Sequence, residues 1–246
     1  MKVPPRLSVL LASEAPIGIV FRRGPSKLVR VIWWDRSTDQ FKPKQWFRGR
    51  IYEYRSDLSP DGRFMIYFAM GGLARAIPAT GGTWTAISRV PSLTAIALWG
   101  QGDTWGGGGM FTSNRSFWLD ADANTFAIRK TNLLSRDAKR PAESRETRDG
   151  WMRPPGSEGI LEKRFRHGWI LRRIGKRAVS YRYELEQPED GTRLSFPAWQ
   201  WAEWDRHRLV WTEGGYLRAA SLGAHRLRNP KTLCDFNGMG PAGENS

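Results

Sequence analysis

Clustered arginine and lysine residues are the most conspicuous chemistry in this sequence. Arg22, Arg23 and Lys27 lie together, Arg115 stands in a polar stretch, and Arg172, Arg173, Lys176 and Arg177 form a second group. A guanidinium presents paired N–H donors that match a carboxylate or a phosphate, so these groups suit recognition of an anion. Trp46, Trp84, Trp105 and Trp151 fall in loop-like stretches. An exposed indole can stack on a base or a sugar. Catalytic residue types are sparse. His167, His207 and His225 each stand beside arginine and show no metal-ligating spacing. Cys234, the single cysteine, has no nearby histidine and reads as a structural thiol. Gly106, Gly107, Gly108 and Gly109 lack the following Lys-Ser/Thr that a phosphate loop requires, and no GxSxG or dinucleotide fingerprint occurs. No catalytic group, cofactor or metal is therefore expected. Glu53, Glu162 and Glu203 remain as carboxylates that acid–base chemistry would need in pairs.

The elements that must position these residues are strands. The 246 residues carry a net charge of +15, 40% hydrophobic residues and 13 tryptophans. That apolar content excludes a disordered chain. No apolar run approaches the roughly 18 residues of a membrane-spanning helix, and a lone cysteine excludes an internal disulfide. The apolar run 7–12 is too short for a secretory signal core of roughly 7–15 residues with its cleavage site, and Glu14 follows it closely. A cytoplasmic location is the expectation, with no membrane contact. Short runs rich in Val, Ile, Phe, Tyr and Trp, punctuated by Gly, Pro, Asp and Ser, predict many antiparallel strands.

Five stretches can be laid over one another: 6–35, 50–77, 93–120, 160–185 and 198–222. Each reads as strand, polar turn, strand, short turn, strand. A fourth strand follows near 40–46, 83–88, 124–130, 193–196 and 233–236. The starts are 44, 43, 67 and 38 residues apart. Three of these spacings are near the roughly 40–50 residues of one propeller blade. Ser59-Pro60-Asp61-Gly62-Arg63, followed by the apolar run 64–68, resembles the turn between the first two strands of WD-repeat and Tol-type bacterial propeller blades. Asp205-Arg206-His207-Arg208 is similar to a degenerate copy. The resemblance implies a fold and no activity.

The expected architecture is all-β: a single five-bladed β-propeller of four-stranded antiparallel blades over 1–246, the alternative being another multi-sheet all-β fold. Residues 131–159 would form an inserted loop between blades three and four. From 129 to 153 there are eight basic and four acidic residues, which favours exposure. The tail 238–246 is expected to be disordered. Most tryptophans would fill space between sheets, each burying on the order of 200 Å². The turns between second and third strands would gather the clustered basic residues on one rim. The expected function is a non-catalytic scaffold whose basic, aromatic rim recognises an acidic protein surface or nucleic acid. The alternatives are a lectin-like glycan binder using Trp46, Trp84 and Trp105, and a glycoside hydrolase using Glu53, Glu162 and Glu203. Five-bladed propellers include such hydrolases, but Arg50, Lys163 and Arg164 beside these carboxylates favour ion pairing.

Overall fold

The computed structural model describes residues 3–24, 27–71, 78–176 and 180–240. The chain is all-β, with several antiparallel sheets and, among the described residues, one short α-helix. It divides into two compact units, Val9–Ala142 on one hand and Met1–Ser8 with Glu143–Ser246 on the other.

The strands of the first half are β1 (Arg6–Leu11), β2 (Ile17–Arg23), β3 (Leu28–Asp35), β4 (Gln40–Leu58), β5 (Phe64–Gly71), β6 (Thr83–Arg89), β7 (Ala95–Gly100), β8 (Gly109–Phe111), β9 (Ser116–Leu119), β10 (Phe126–Arg129) and β11 (Ser135–Asp137). Strands β1 to β7 neighbour one another in chain order, and β10 is added beside β7. The 19 residues of β4 serve two neighbours. Its first part pairs with β3 and its last part with β5, with Gly49 between them. Gly49 has φ +149°, and a Cβ there would stand 2.3 Å from the Met70 carbonyl oxygen, so only glycine fits this crossover.

Strands β5 and β6 are apolar on both faces because both faces are covered. Met65, Tyr67, Ala69, Trp84 and Ala86 face one core with Ile19, Phe21, Val29, Val31 and Ile51. Phe64, Ile66 and Ile87 face another with Trp99, Phe111 and Phe117. The Ser59–Arg63 segment is the turn that joins β4 to β5, as its sequence suggests. Ser59 Oγ donates to Asp61 Oδ1 at 2.6 Å and accepts the Phe64 N–H at 3.0 Å, while Gly62 takes φ +71°.

The third repeat differs from expectation. Strand β7 does not begin a new four-stranded sheet. It pairs with β6, and β10 pairs with β7. The connection between β6 and β7 is only a few residues long, so a hairpin is the pairing of lowest loop-closure cost. What remains is a three-stranded sheet in which β8 and β9 form a hairpin and β11 runs parallel to β9. Among the described residues no sheet closes on itself.

The other unit holds α1 (Arg145–Arg148), β12 (Ile160–Arg164), β13 (Ile170–Lys176), β14 (Ser180–Gln187), β15 (Thr192–Phe196), β16 (Trp201–Asp205), β17 (Arg208–Glu213), β18 (Tyr216–Leu222) and β19 (Leu227–Asp235). They form two four-stranded antiparallel meanders, β12 to β15 and β16 to β19, as the fourth and fifth repeats predict. Asp205 and Arg208 close the β16–β17 turn through an ion pair of 2.8 Å, with Arg206 at φ +60°. Their shared core is aromatic. Trp199 stacks between Phe196 and Trp211, with ring centroids 3.9 and 4.9 Å away. Trp169 is fully buried and donates its indole N–H to the Gly223 carbonyl at 2.8 Å. The segment 131–159 contributes buried Leu134, Glu146 and Trp151. Helix α1 within it is capped by Ser144, whose Oγ accepts the Thr147 N–H at 3.2 Å. Residues 241–246 of the expected disordered tail lie outside the described residues. Among the described residues no helix is long and apolar enough to cross a membrane.

Candidate functional site

Strands β2, β3 and β4 carry one row of directly opposed residues, Arg22, Arg30 and Trp46. Their neighbours Phe21, Val29 and Phe47 turn into the core. Side chains alternate along a strand, so the arginines and Trp46 point to the other side. Both guanidiniums lie over the Trp46 indole, Arg30 at 5.1 Å and Arg22 at 5.7 Å from the ring centroid. Trp46 and Arg30 are half-buried, and Arg22 is enclosed. Arg22 donates to the Gly24 carbonyl. Burial first, and the Arg30 charge second, hold its pKa below the ordinary arginine value. Like charges opposed on neighbouring strands disfavour each other.

The row continues along β4. Arg48 is exposed, and Arg50 lies 4.4 Å from the Tyr52 ring centroid. Trp46, Arg48, Arg50 and Tyr52 occupy alternate positions and span about 20 Å at ~3.3 Å per residue. Nε of Arg30 and Nε of Arg50 are buried without a hydrogen-bond partner among the described residues. Buried donors left in this state are uncommon. The arrangement can accept an anion from the open side and an aromatic ring beside Trp46. Arg30 and Arg48 were not singled out from the sequence, and Arg50 was read only as an ion-pair neighbour of a carboxylate. The signal is there, because 46, 48, 50 and 52 read Trp, Arg, Arg, Tyr at the strand period.

The remaining sequence candidates are distributed. Arg23 ends β2, and Lys27 is exposed in the next turn at φ +61°. Arg115 is exposed in the β8–β9 turn, with its guanidinium 5.7 Å from the Phe64 ring. Arg172 and Arg173 lie within β13, where the sequence reading places a turn. Strand β13 runs on because carboxylates of the strands on either side neutralise Arg172. Its Nε donates to Glu162 Oε1 at 2.6 Å, and its other end meets Glu186. Arg173 pairs with Glu146 at 3.4 Å. Lys176 ends β13, and Arg177 lies outside the described residues. Arg22, Arg23, Lys27 and Arg115 fall in one compact unit, and Arg172, Arg173 and Lys176 in the other.

Trp84 and Trp151, read from the sequence as loop residues, are buried at 6% and 4% exposure. Trp84 belongs to β6 and packs edge-on to Phe47. Trp151 donates its indole N–H to Glu203 at 3.0 Å. Trp105 alone of the four stands free, at 90% exposure. The adjoining glycines have a packing reason. A Cβ on Gly107 would stand 2.5 Å from the Phe68 ring, and one on Gly108 would stand 2.4 Å from the Arg55 carbonyl oxygen.

The carboxylates considered for acid–base work hold cations. Glu203 accepts Lys163 Nζ at 2.7 Å as well as the Trp151 indole, and Glu162 holds Arg172. Glu53 lies in the other unit. His225 contacts Asp190, and Cys234 is half-buried in β19.

No protein-family model and no curated protein matches the sequence. Among solved structures, the chain is similar to a prolyl endopeptidase at 7% identity and a TM-score of 0.32, over 92% of this chain and 35% of that one. It is also similar to TolB from Acinetobacter baumannii at 12% identity and a TM-score of 0.28, over 94% of this chain and 57% of that one. The chain thus spans about a third and somewhat over half of the lengths of these two proteins.

Proposed function

We propose that this protein is a non-catalytic binding module whose basic, aromatic strand face holds the phosphate backbone of single-stranded nucleic acid. The observation that carries the reading is the opposition of Arg22 and Arg30 across one half-exposed indole. In the free protein that opposition costs on the order of 0.2–1 kcal/mol. A phosphate placed beside the more accessible Arg30 and Arg48 would offset that repulsion with charge-assisted contacts. The half-exposed Trp46 indole beside Arg30 and Arg48 supports a strand with a stackable base more than an acidic polypeptide, which offers charge alone.

The fold reading that accompanies this proposal is the propeller type. Its support is internal: consecutive strands in each four-stranded meander are neighbours, and the Ser59–Arg63 turn has the hydrogen bonding its sequence implies. The fivefold count rests on the sequence repeat.

Fluorescence anisotropy with a labelled oligothymidylate of roughly 20 nucleotides, longer than a typical single site, tests the function. Saturable binding that poly-glutamate competes only weakly is expected. Tight binding to poly-glutamate with none to the oligonucleotide would transfer the site to an acidic protein partner.

A further inference from the structure

A second site lies between α1 and the β12–β13 hairpin, in the unit that does not contain the Arg22–Arg30–Trp46 row. A pocket of about 670 Å³ opens there, within the size range of small-ligand sites. Arg173 lines it. Its guanidinium lies 5.0 Å from the Trp151 ring centroid and 4.7 Å from that of Tyr181, and the side chain is only 13% exposed. Both rings pack close to the guanidinium, and its N–H edges are the route to a ligand.

Those edges are poorly used by the protein. Nε has no hydrogen-bond partner among the described residues, and the Glu146 contact of 3.4 Å is at the long limit for a hydrogen bond. A buried Nε–H is costly to leave without an acceptor. Leu161, half-buried, and Met152, exposed at 54%, make one part of the wall apolar, and Ser144 and Thr147 add hydroxyls. Arg153 lines the pocket as well and is exposed.

We propose that this pocket binds a small organic monoanion, a carboxylate on a planar apolar body, with the carboxylate on the Arg173 edge and the body against Leu161 and Met152. Glu146 already offsets part of the Arg173 charge, so one negative charge fits better than the two of a phosphate monoester. The apolar wall adds affinity only for a ligand that carries carbon, at about 25 cal/mol per Å² buried.

Calorimetric titration of the full chain with benzoate tests this, with benzamide and inorganic phosphate as controls. Saturable one-site binding of benzoate is expected, at least tenfold tighter than benzamide or phosphate. Arg173→Lys, which keeps the charge and loses the fork, should weaken benzoate tenfold or more. Met152→Glu changes an exposed residue at the wall, so the fold is kept, and the new charge should also weaken benzoate about tenfold while oligothymidylate binding stays as it was. Benzamide binding as tightly as benzoate, phosphate binding more tightly than benzoate, or Met152→Glu leaving benzoate affinity unchanged would each overturn the proposal.

Discussion

Arg30 is where stability and binding pull apart. Its position opposite Arg22 opposes folding, and its contact with Trp46 at 5.1 Å favours it. Such cation–π contacts contribute about 0.5–1 kcal/mol, close to the repulsion they offset. Arg30→Met should therefore leave the unfolding free energy, from urea titration, within about 0.5 kcal/mol of the native protein, while oligonucleotide affinity falls about tenfold as a charge-assisted contact is lost. A large loss of stability with unchanged affinity would make Arg30 a structural residue. Cys234 offers a second check at this scale. Burial, with the Asp235 charge adding to it, pushes its thiol up to about 11. An acid whose folded-state pKa is raised contributes stability that is present below the unfolded value, about 8.5, and is lost as pH rises through the folded value. Iodoacetamide should accordingly label Cys234 slowly at pH 8 in the native protein and faster with each pH unit up to about 11. In urea the half-rise should move down to about 8.5, and mass spectrometry reads both.

Among the elements, the β4–β5 turn is the one whose sequence and structure agree most closely. Ser59 is fully buried and serves two partners, so Ser59→Ala should lower stability by about 1–3 kcal/mol. Gly62→Ala should cost a similar amount, because φ is +71° and the new methyl would stand 3.0 Å from Ile17 Cβ. Chemical denaturation measures both; a neutral Gly62→Ala would contradict the turn as described. Trp199, stacked between Phe196 and Trp211, should cost about 3–5 kcal/mol as Trp199→Ala. The same local chemistry explains what was legible. Hairpins such as β16–β17 are specified by a few contiguous residues, and the meanders β12–β15 and β16–β19 follow from them. The third repeat was not legible, because Ala95–Gly100 reads as a strand whichever neighbour it takes. Its pairing with both β6 and β10 is chosen by partners that periodicity does not name. The Arg172 placement failed for a related reason. Its cross-strand partners Glu162 and Glu186 are distant in sequence and make a basic run compatible with a half-buried strand.

For the chain as a whole, the charge of +15 does not by itself locate a site. Ion pairs with Glu162, Glu186 and Glu203 take up Arg172 and Lys163, whereas Arg22 and Arg30 lie over Trp46 and Arg50 lies over Tyr52. The clustered arginines at 22 and 23 pointed toward this face. Arg30 lay beyond that cluster, since only strand pairing brings it opposite Arg22. Tryptophan content likewise separates into core residues, Trp34, Trp169, Trp199 and Trp211 among them, half-buried ones such as Trp46, and the exposed Trp105. The most direct test of the binding reading is the salt dependence of oligothymidylate affinity, measured for the native protein and for the Arg30→Gln/Arg48→Gln double variant. Each phosphate contact to a single strand contributes about −0.7 to the slope of log K against log salt. Losing two contacts should make the slope shallower by about 1.4 and weaken binding at every salt concentration. An unchanged slope in a folded double variant would contradict the assignment of this face.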